Sequence, residues 1–428
     1  MGTIQQVVLL RPRGKAVRSC LHPRNIRPPF MLKYIEAGLK KSALSCLLLD
    51  EYLHTAPPGI FQRQSDFLVI SVMTPDAPRA IALIHEFRKH SQTATVIACG
   101  QDPTCRPGFY SGKGVDFIAF GEAELAIAEL IRNLTAGSGG IPAGIRTAET
   151  VKLIEPLTVN NLDLLPTPEY SETEISGYRF YYPLNFAARL SYGHVLFSRG
   201  CPGNCIFCTQ IHRESWGKVM RYHSIDRMVA EIRSLVNLGV NFLLFDDDNF
   251  GLDRSIHREL FQRLKIEGLN LPWQCHTRVE NLDDEILRFY AGHNCRLLRI
   301  GAESGSAKVL RDIGKTSSPK SYLNQCRRVF AFSRKLGMDT LFLAMIGCPG
   351  ERTADMLATA RLIHKVKPSL LQISFFTVYP NSVRNDEQHH PGRTASPPAS
   401  AFHYRPQGKS FSLSVIQAFM YLTFYLNP

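Results

Sequence analysis

The sequence predicts an α/β chain built on two parallel sheets, a Rossmann-like (flavodoxin-like) domain followed by a partial (β/α)6 TIM-like barrel. Three observations predict it. Short apolar runs alternate with helical patterns over residues 1–135. The same alternation resumes at Val195 and lasts about 180 residues, enough for six strand–helix units. Between them lies a flexible stretch, Thr135-Ala136-Gly137-Ser138-Gly139-Gly140. A chain of 428 residues has material for two or three domains, and the expected division is 1–135, a linker over 136–190, a core over 191–382 and an extension over 383–428.

In the first domain Gln6–Leu10, Ala43–Leu49, Asp66–Val72, Thr95–Ala98 and Asp116–Ala119 read as strands. They are short apolar runs bounded by turn residues, as strands buried on both faces are. Phe30–Lys41, Ala77–His90 and Glu122–Asn133 read as helices. Ligands of such sheets bind beyond the carboxyl ends of the strands. The candidates there are Ser71 and Thr74, which bring hydroxyls to the turn after the third strand, together with Gly100, Gly121 and Glu122. Glycine at 100 and 121 is expected to let a large flat ligand approach the backbone. In the linker, Thr147–Leu153 suggests a small hairpin, Leu162–Pro168 a proline-rich connector and Tyr178–Tyr182 an aromatic patch.

In the core, strands are expected at Val195–Ser198, Val240–Phe245, Pro272–His276, Arg296–Gly301, Asp339–Ile346 and Leu370–Val378. Helices are expected at Ile225–Leu238, Arg254–Glu267, Asp283–Ala291, Pro319–Leu336 and Thr353–Val366. Polar residues follow the strands, where a barrel of this kind keeps its active site. The tail is polar and proline-rich around His389-His390-Pro391, then helical.

Hydrophobic content of 44% and charged content of 20% are those of an ordinary globular protein. The net charge of +13 favours anionic partners, but the basic residues are scattered; Arg11, Arg13, Lys15, Arg18, Arg24 and Arg27 are the densest group. No stable nucleic-acid partner is expected. Met1–Arg11 has no secretory pattern, and the apolar Val415–Leu426 is too short to span a bilayer, so no transmembrane segment is expected. Eleven cysteines then read as thiols and metal ligands in a reducing cytoplasm.

Three of them carry the chemistry. Cys201-Pro202-Gly203-Asn204-Cys205-Ile206-Phe207-Cys208 presents three thiolates from one tight loop, with the bend at Gly203. Structural zinc takes four protein ligands in paired Cys/His motifs, and only His212 stands nearby, without a companion. Three thiolates on a four-iron cluster leave one iron open, unlike an electron-transfer ferredoxin, which supplies a thiolate to each iron.

This spacing, with Phe207 before the third cysteine, resembles the radical S-adenosylmethionine (SAM) superfamily. The resemblance implies that Cys201, Cys205 and Cys208 hold a 4Fe–4S cluster whose open iron chelates the methionine end of SAM. Reductive cleavage there gives a 5′-deoxyadenosyl radical. The strand-end segments acquire roles from the same resemblance. Asp246 and Asp247, within Asp246-Asp247-Asp248, would accept from SAM's ammonium, and Arg278 would clamp its carboxylate. Gly301-Ala302-Glu303-Ser304-Gly305 looks like the family's Gly-x-Glu-Ser segment, with Glu303 and Ser304 toward ribose or methionine. Gly347-Cys348-Pro349-Gly350-Glu351 matches its Gly-x-Pro-Gly-Glu turn, with Gly347 and Gly350 toward adenine and Cys348 facing the same pocket. The family's Pro-Gly-Thr is replaced by Tyr379-Pro380-Asn381-Ser382.

Val96–Glu124 resembles the cobalamin-binding domain that precedes the core in one branch of the superfamily. Leu10-Arg11-Pro12-Arg13-Gly14-Lys15 stands where methionine-synthase-type domains carry a cobalt-ligating histidine; His22 and His54 lie elsewhere, so a histidine-ligated cobalt is not expected. The resemblance therefore implies a cobalamin-dependent radical SAM methyltransferase, acting on an unactivated carbon of a small-molecule or lipid substrate. It would take electrons from an external donor such as flavodoxin or ferredoxin. A cobalamin-dependent cyclase or rearrangement enzyme in tetrapyrrole or natural-product biosynthesis is the alternative.

Overall fold

The computed structural model describes residues 6–14, 26–54, 61, 65–149, 155–178, 190–208, 217–377 and 410–426. Lys15, Arg18, Cys20, His22, Arg24, His212, residues 150–154 and 179–182, Tyr379-Pro380-Asn381-Ser382 and His389-His390 lie outside the described residues. The chain divides into two compact units, Met1–Ala187 with Gln210–Arg221, and Ala188–Thr209 with Tyr222–Pro428.

The first unit is a six-stranded sheet of β1 (Gln6–Arg11), β2 (Ser45–Asp50), β3 (Phe67–Ser71), β4 (Thr95–Cys99), β5 (Phe117–Ala119) and β6 (Ile145–Thr147). Its order is β2-β1-β3-β4-β5-β6; β1 to β5 are parallel and β6 is antiparallel to β5. The order reverses between β1 and β3, which opens a crevice beyond their carboxyl ends. Both faces are apolar because side chains alternate along each strand. Val8, Leu10, Leu68, Ile70, Val96 and Ala98 pack under α2 (Ala77–His90). Val7, Leu9, Val69 and Ile97 pack under α1 (Phe30–Lys41) and the helix Glu124–Thr135. That last helix is α4, after the short α3 (Gln101–Cys105); it starts two residues later than expected because Glu122 is taken up in pairing, as shown below.

Of the expected linker 136–190, the described residues 136–149 and 155–178 belong to this unit. Ile145–Thr147 adds to the sheet edge, most of the expected hairpin Thr147–Leu153 lies outside the described residues, Leu157 bridges Gly121, and Leu162 and Leu165 pack on Tyr34. The short α5 (Glu172–Gly177) opens with a capping box from Ser171, and its Glu174 accepts from the buried Lys33 at 2.9 Å.

The second unit pairs β7 (Tyr192–Val195), β8 (Phe242–Phe245), β9 (Trp273–Thr277), β10 (Cys295–Glu303), β11 (Asp339–Ile346) and β12 (Leu370–Phe375), all parallel and in chain order. Between them run α6 (Ile225–Asn237), α7 (Arg254–Ile266), α8 (Asp284–Gly292), α9 (Ala307–Asp312), α10 (Pro319–Lys335) and α11 (Thr353–Val366), and α12 (Ser410–Leu426) follows. The first core strand lies three residues earlier than expected. Val195 pairs with Phe245, whereas the amides of Phe197 and Ser198 are drawn to a carboxylate.

The outer face of this sheet meets the helices through aromatic rings: Trp273 stacks on Phe261 at 4.4 Å, with Phe245 and Tyr290 against it. Gly193 also faces that side, since a Cβ there would stand 3.2 Å from Leu235 of α6. Its neighbour His194 therefore points to the inner face. No helix among the described residues is long and apolar enough to cross a membrane.

Candidate active site

The cysteine loop follows β7. Gly200, at φ +100°, releases the chain from the extended segment, and the loop carries Cys201, Cys205 and Cys208 in turn. Cys205 is buried and the other two are half-buried. Gly203 stands where a side chain would meet Arg278 Nη1 at 3.2 Å and Cys201 Sγ at 3.4 Å, with Cys205 Sγ 4.0 Å away. Burial raises the Cys201 thiol, against the opposing pull of the Gly203 amide and the Arg278 charge. Cys208 is pushed up to about 12, chiefly by burial and then by the charges of Asp248 and of its neighbouring thiols, with Glu303 adding to them.

Three downstream elements hold the loop in shape. Ile206 N donates to Ile313 O at 3.0 Å, and Gly314 leaves room for Asn204 O, which a Cβ would approach to 2.9 Å. Phe207, with Ile206, packs on the apolar cluster of Val309, Ile313, Met345, Cys348 and Phe376. Cys348 is thus sealed in the same cluster.

The acidic segment after β8 is arranged differently from expectation. Asp246 turns inward to His194, Oδ2 to Nδ1 at 2.6 Å, and both side chains are buried. Asp247 is also buried and accepts from the amide of Phe197 at 3.2 Å and from the amide and hydroxyl of Ser198. Both carboxylates are spent on the protein because the paired strands β7 and β8 end side by side, with backbone donors within reach. Asp248 is the exposed member, and it is the one whose charge is felt at Cys201 and Cys208. Sequence reasoning singled out Asp246 and Asp247 instead; strand alternation groups Asp246 with Asp248 and so gave no signal to separate them.

Arg278, at the end of β9, is likewise engaged by protein groups. Nη1 donates to Cys205 Sγ at 3.1 Å, and Nη2 donates to Glu280 Oε1 at 2.7 Å and Lys315 O at 2.8 Å. Burial works against the guanidinium's charge, but the Cys205 thiol and the Glu280 carboxylate more than offset it and hold the group above its ordinary range. Glu303 ends β10 in the left-handed region at φ +64°, after a register slip against β11, and accepts from Lys315 Nζ at 3.1 Å. Ser304 is fully buried; its hydroxyl shares a bond with Thr359 of α11 and accepts from Ser306 N, which ties the end of β10 to that helix.

The Gly347–Glu351 turn closes on itself. Glu351 accepts from Cys348 N at 2.9 Å, and burial pushes its carboxyl up to about 7. Gly347 approaches Leu413 of α12, and Gly350 O accepts from Lys308 Nζ at 2.9 Å. These two glycines serve tight packing within the unit.

In the first unit, the residues expected to touch a ligand also turn out to be used internally. At Gly100, φ +97°, a Cβ would stand 3.0 Å from Val72 N and O, so the close approach is to the chain's own backbone. At Gly121, φ +71°, the neighbour is Leu157 O, which a Cβ would approach to 2.4 Å. Glu122 is fully buried in a bidentate pair with Arg221, each oxygen 2.7 Å from a guanidinium nitrogen, and also accepts from Val159 N. Thr74 is buried because Thr74–Asp76 curls into a 3-10 turn, which leaves Met73 exposed in its place. Ser71 keeps its place at the carboxyl end of β3, beside Gly100.

Could these residues hold a cluster? Among the described residues no three His, Cys, Asp or Glu side chains are grouped so as to share one ion. A cubane asks for something else, one thiolate per iron, and the loop offers three thiols within eight residues, with a cationic donor beside the middle one. The donor set fits.

Residues 195–363 match the model of the radical SAM superfamily. An uncharacterised methyltransferase of Pyrococcus horikoshii is 29% identical over 275 residues, 63% of this chain and 57% of that protein. The chain spans about half the length of the curated relatives it matches. Among solved structures, the radical SAM methyltransferase TsrM from Kitasatospora setae, with cobalamin and a 4Fe–4S cluster bound, superposes with a TM-score of 0.69 at 19% identity, covering 89% of this chain and 77% of that one. The cobalamin-dependent SAM radical enzyme OxsB, with aqua-cobalamin bound, gives 0.65 at 16% identity, covering 84% and 52%. At these identities the likeness shows a shared fold.

Proposed function

We propose that this chain, whose residues 195–363 belong to the radical SAM superfamily, is a cobalamin-dependent methyltransferase that reductively cleaves SAM and methylates an unactivated carbon. The observation that carries the reading is the loop Cys201–Cys208: three thiols after the first strand of a sequential parallel sheet, held by bonds from later strands. Names of relatives support methyl transfer over cyclisation, since a methyltransferase and a cobalamin-loaded methyltransferase structure stand among them.

A bound cluster would supply one electron and an open iron, and cobalamin a transferable methyl group; an unactivated carbon offers acid–base chemistry no foothold, so such cofactors must do that work. The chain's part is to bind and orient. Cys201, Cys205 and Cys208 would each take one iron. Asp248 and Glu303, whose charges reach Cys208, are the carboxylates suited to SAM's cationic end, in place of Asp246 and Asp247. In the first unit, the crevice beyond β1 and β3, where the strand order reverses, is the place for a large cofactor, with Ser71 and Met73 beside it.

Anoxic reconstitution tests this. The protein should take up iron, sulfide and cobalamin, release 5′-deoxyadenosine from SAM under reduction, and form methylcobalamin. Cleavage of SAM without methylcobalamin would point to the cyclase class; no cleavage at all would sink the proposal.

A further inference from the structure

Arg278 is the one basic side chain seen bonded to a thiol of the loop among the described residues. Both ends of its fork are engaged: Nη1 to Cys205 Sγ at 3.1 Å, Nη2 to Lys315 O and Glu280 Oε1. The stitching continues around it. Lys315 follows Gly314 and Ile313, and those two touch the loop at Asn204 and Ile206. Gly203 is glycine where any side chain would crowd Nη1 at 3.2 Å. The loop thus makes room for a guanidinium against its middle sulfur. A lysine cannot replace it, because one ammonium cannot reach the sulfur and the Lys315 carbonyl as a planar fork does.

We propose that Arg278 is a positioning and redox-tuning residue: its charged N–H···S bond to Cys205 raises the reduction potential of the cluster the loop carries. This rests on the cluster reading above. An N–H donor and a positive charge beside a ligand sulfur stabilise the form with more negative charge, which is the reduced cluster. When an external one-electron donor reduces the oxidised cluster, the added electron finds a compensating charge already in place. Glu280, on the other side of the guanidinium, moderates the effect and keeps Arg278 aimed.

The test compares wild type, Arg278→Lys and Arg278→Gln as anoxically loaded full-length protein, without SAM, in a dithionite titration followed by the EPR signal of the reduced cluster. Arg278→Gln should have the lowest midpoint, with on the order of tenfold less reduced cluster at a fixed potential, as loss of one charge-assisted bond implies. Arg278→Lys should fall between, its charge kept and its fork lost. The proposal is overturned if Arg278→Gln titrates with wild type. If Arg278→Gln cannot be loaded, Arg278→Lys decides alone, and a wild-type midpoint there overturns it. A wild-type chain that takes up no cluster sinks the reading on which this rests, and this inference with it.

Discussion

Asp247 receives the amides of Phe197 and Ser198 on one buried carboxylate, tying the end of β8 to the segment that leads into the cysteine loop. A charge this deep is tolerated because three donors, counting the Ser198 hydroxyl, meet it. Replacing Asp247 with alanine leaves those amides without an acceptor, at about 1–3 kcal/mol for each orphaned group. Asp247→Ala should therefore lower the unfolding temperature, read by differential scanning fluorimetry, and reduce iron bound per chain after reconstitution.

The same carboxylate makes stability depend on pH. Burial pushes Asp247 up to about 7 from an ordinary 3.8, against its hydrogen bonds, so between those values the folded chain holds more protons than the unfolded one. Its contribution is complete below 3.8 and is lost as pH rises through about 7. Asp247→Asn should flatten that part of the profile, measured as melting temperature across this window. A profile identical to wild type would show that Asp247 does not titrate there.

Each of Cys201, Cys205 and Cys208 changed to alanine should abolish the iron–sulfur absorption, whereas Cys348→Ala should keep it. Cys348 lies in the apolar cluster with Phe207, so its loss costs packing, about 1 kcal/mol or somewhat more. Iron and sulfide assays on the four variants decide this.

Breaking the buried Glu122–Arg221 pair should be severe. With side-chain exposures of 0% and 9%, removing one partner strands the other charge, a loss of about 3–5 kcal/mol. Arg221→Met should show it as a lower urea midpoint, and the double change Glu122→Gln with Arg221→Met should recover part of it.

Gly100→Ala combines a left-handed backbone at φ +97° with a Cβ 3.0 Å from Val72 N and O. Neither can relax without moving β3 from β4, so a loss of about 1–3 kcal/mol is expected by thermal unfolding.

Secondary structure was largely legible from period and punctuation. Phe30–Lys41, Ala77–His90, Asp339–Ile346 and Thr353–Val366 lie where their apolar spacing puts them. The cysteine spacing was legible too, being local. What sequence reasoning did not reach is the set of protein partners these side chains find far along the chain. Asp246 meets His194 across 52 positions, Asp247 meets Ser198 across 49, and Arg278 meets Cys205 across 73. A carboxylate at a strand end looks the same whether it awaits a ligand or a neighbouring amide. Glycine is ambiguous in the same way: positions 100 and 121 do need close approach, and the chain's own Val72 and Leu157 already supply it.

The fastenings of the cysteine loop come from Asp247, Arg278 and Ile313, on three successive strand–helix units. A nascent chain that has emerged only as far as Cys208 lacks all three. The loop can therefore take this shape only after residues through Ile313 have folded against it.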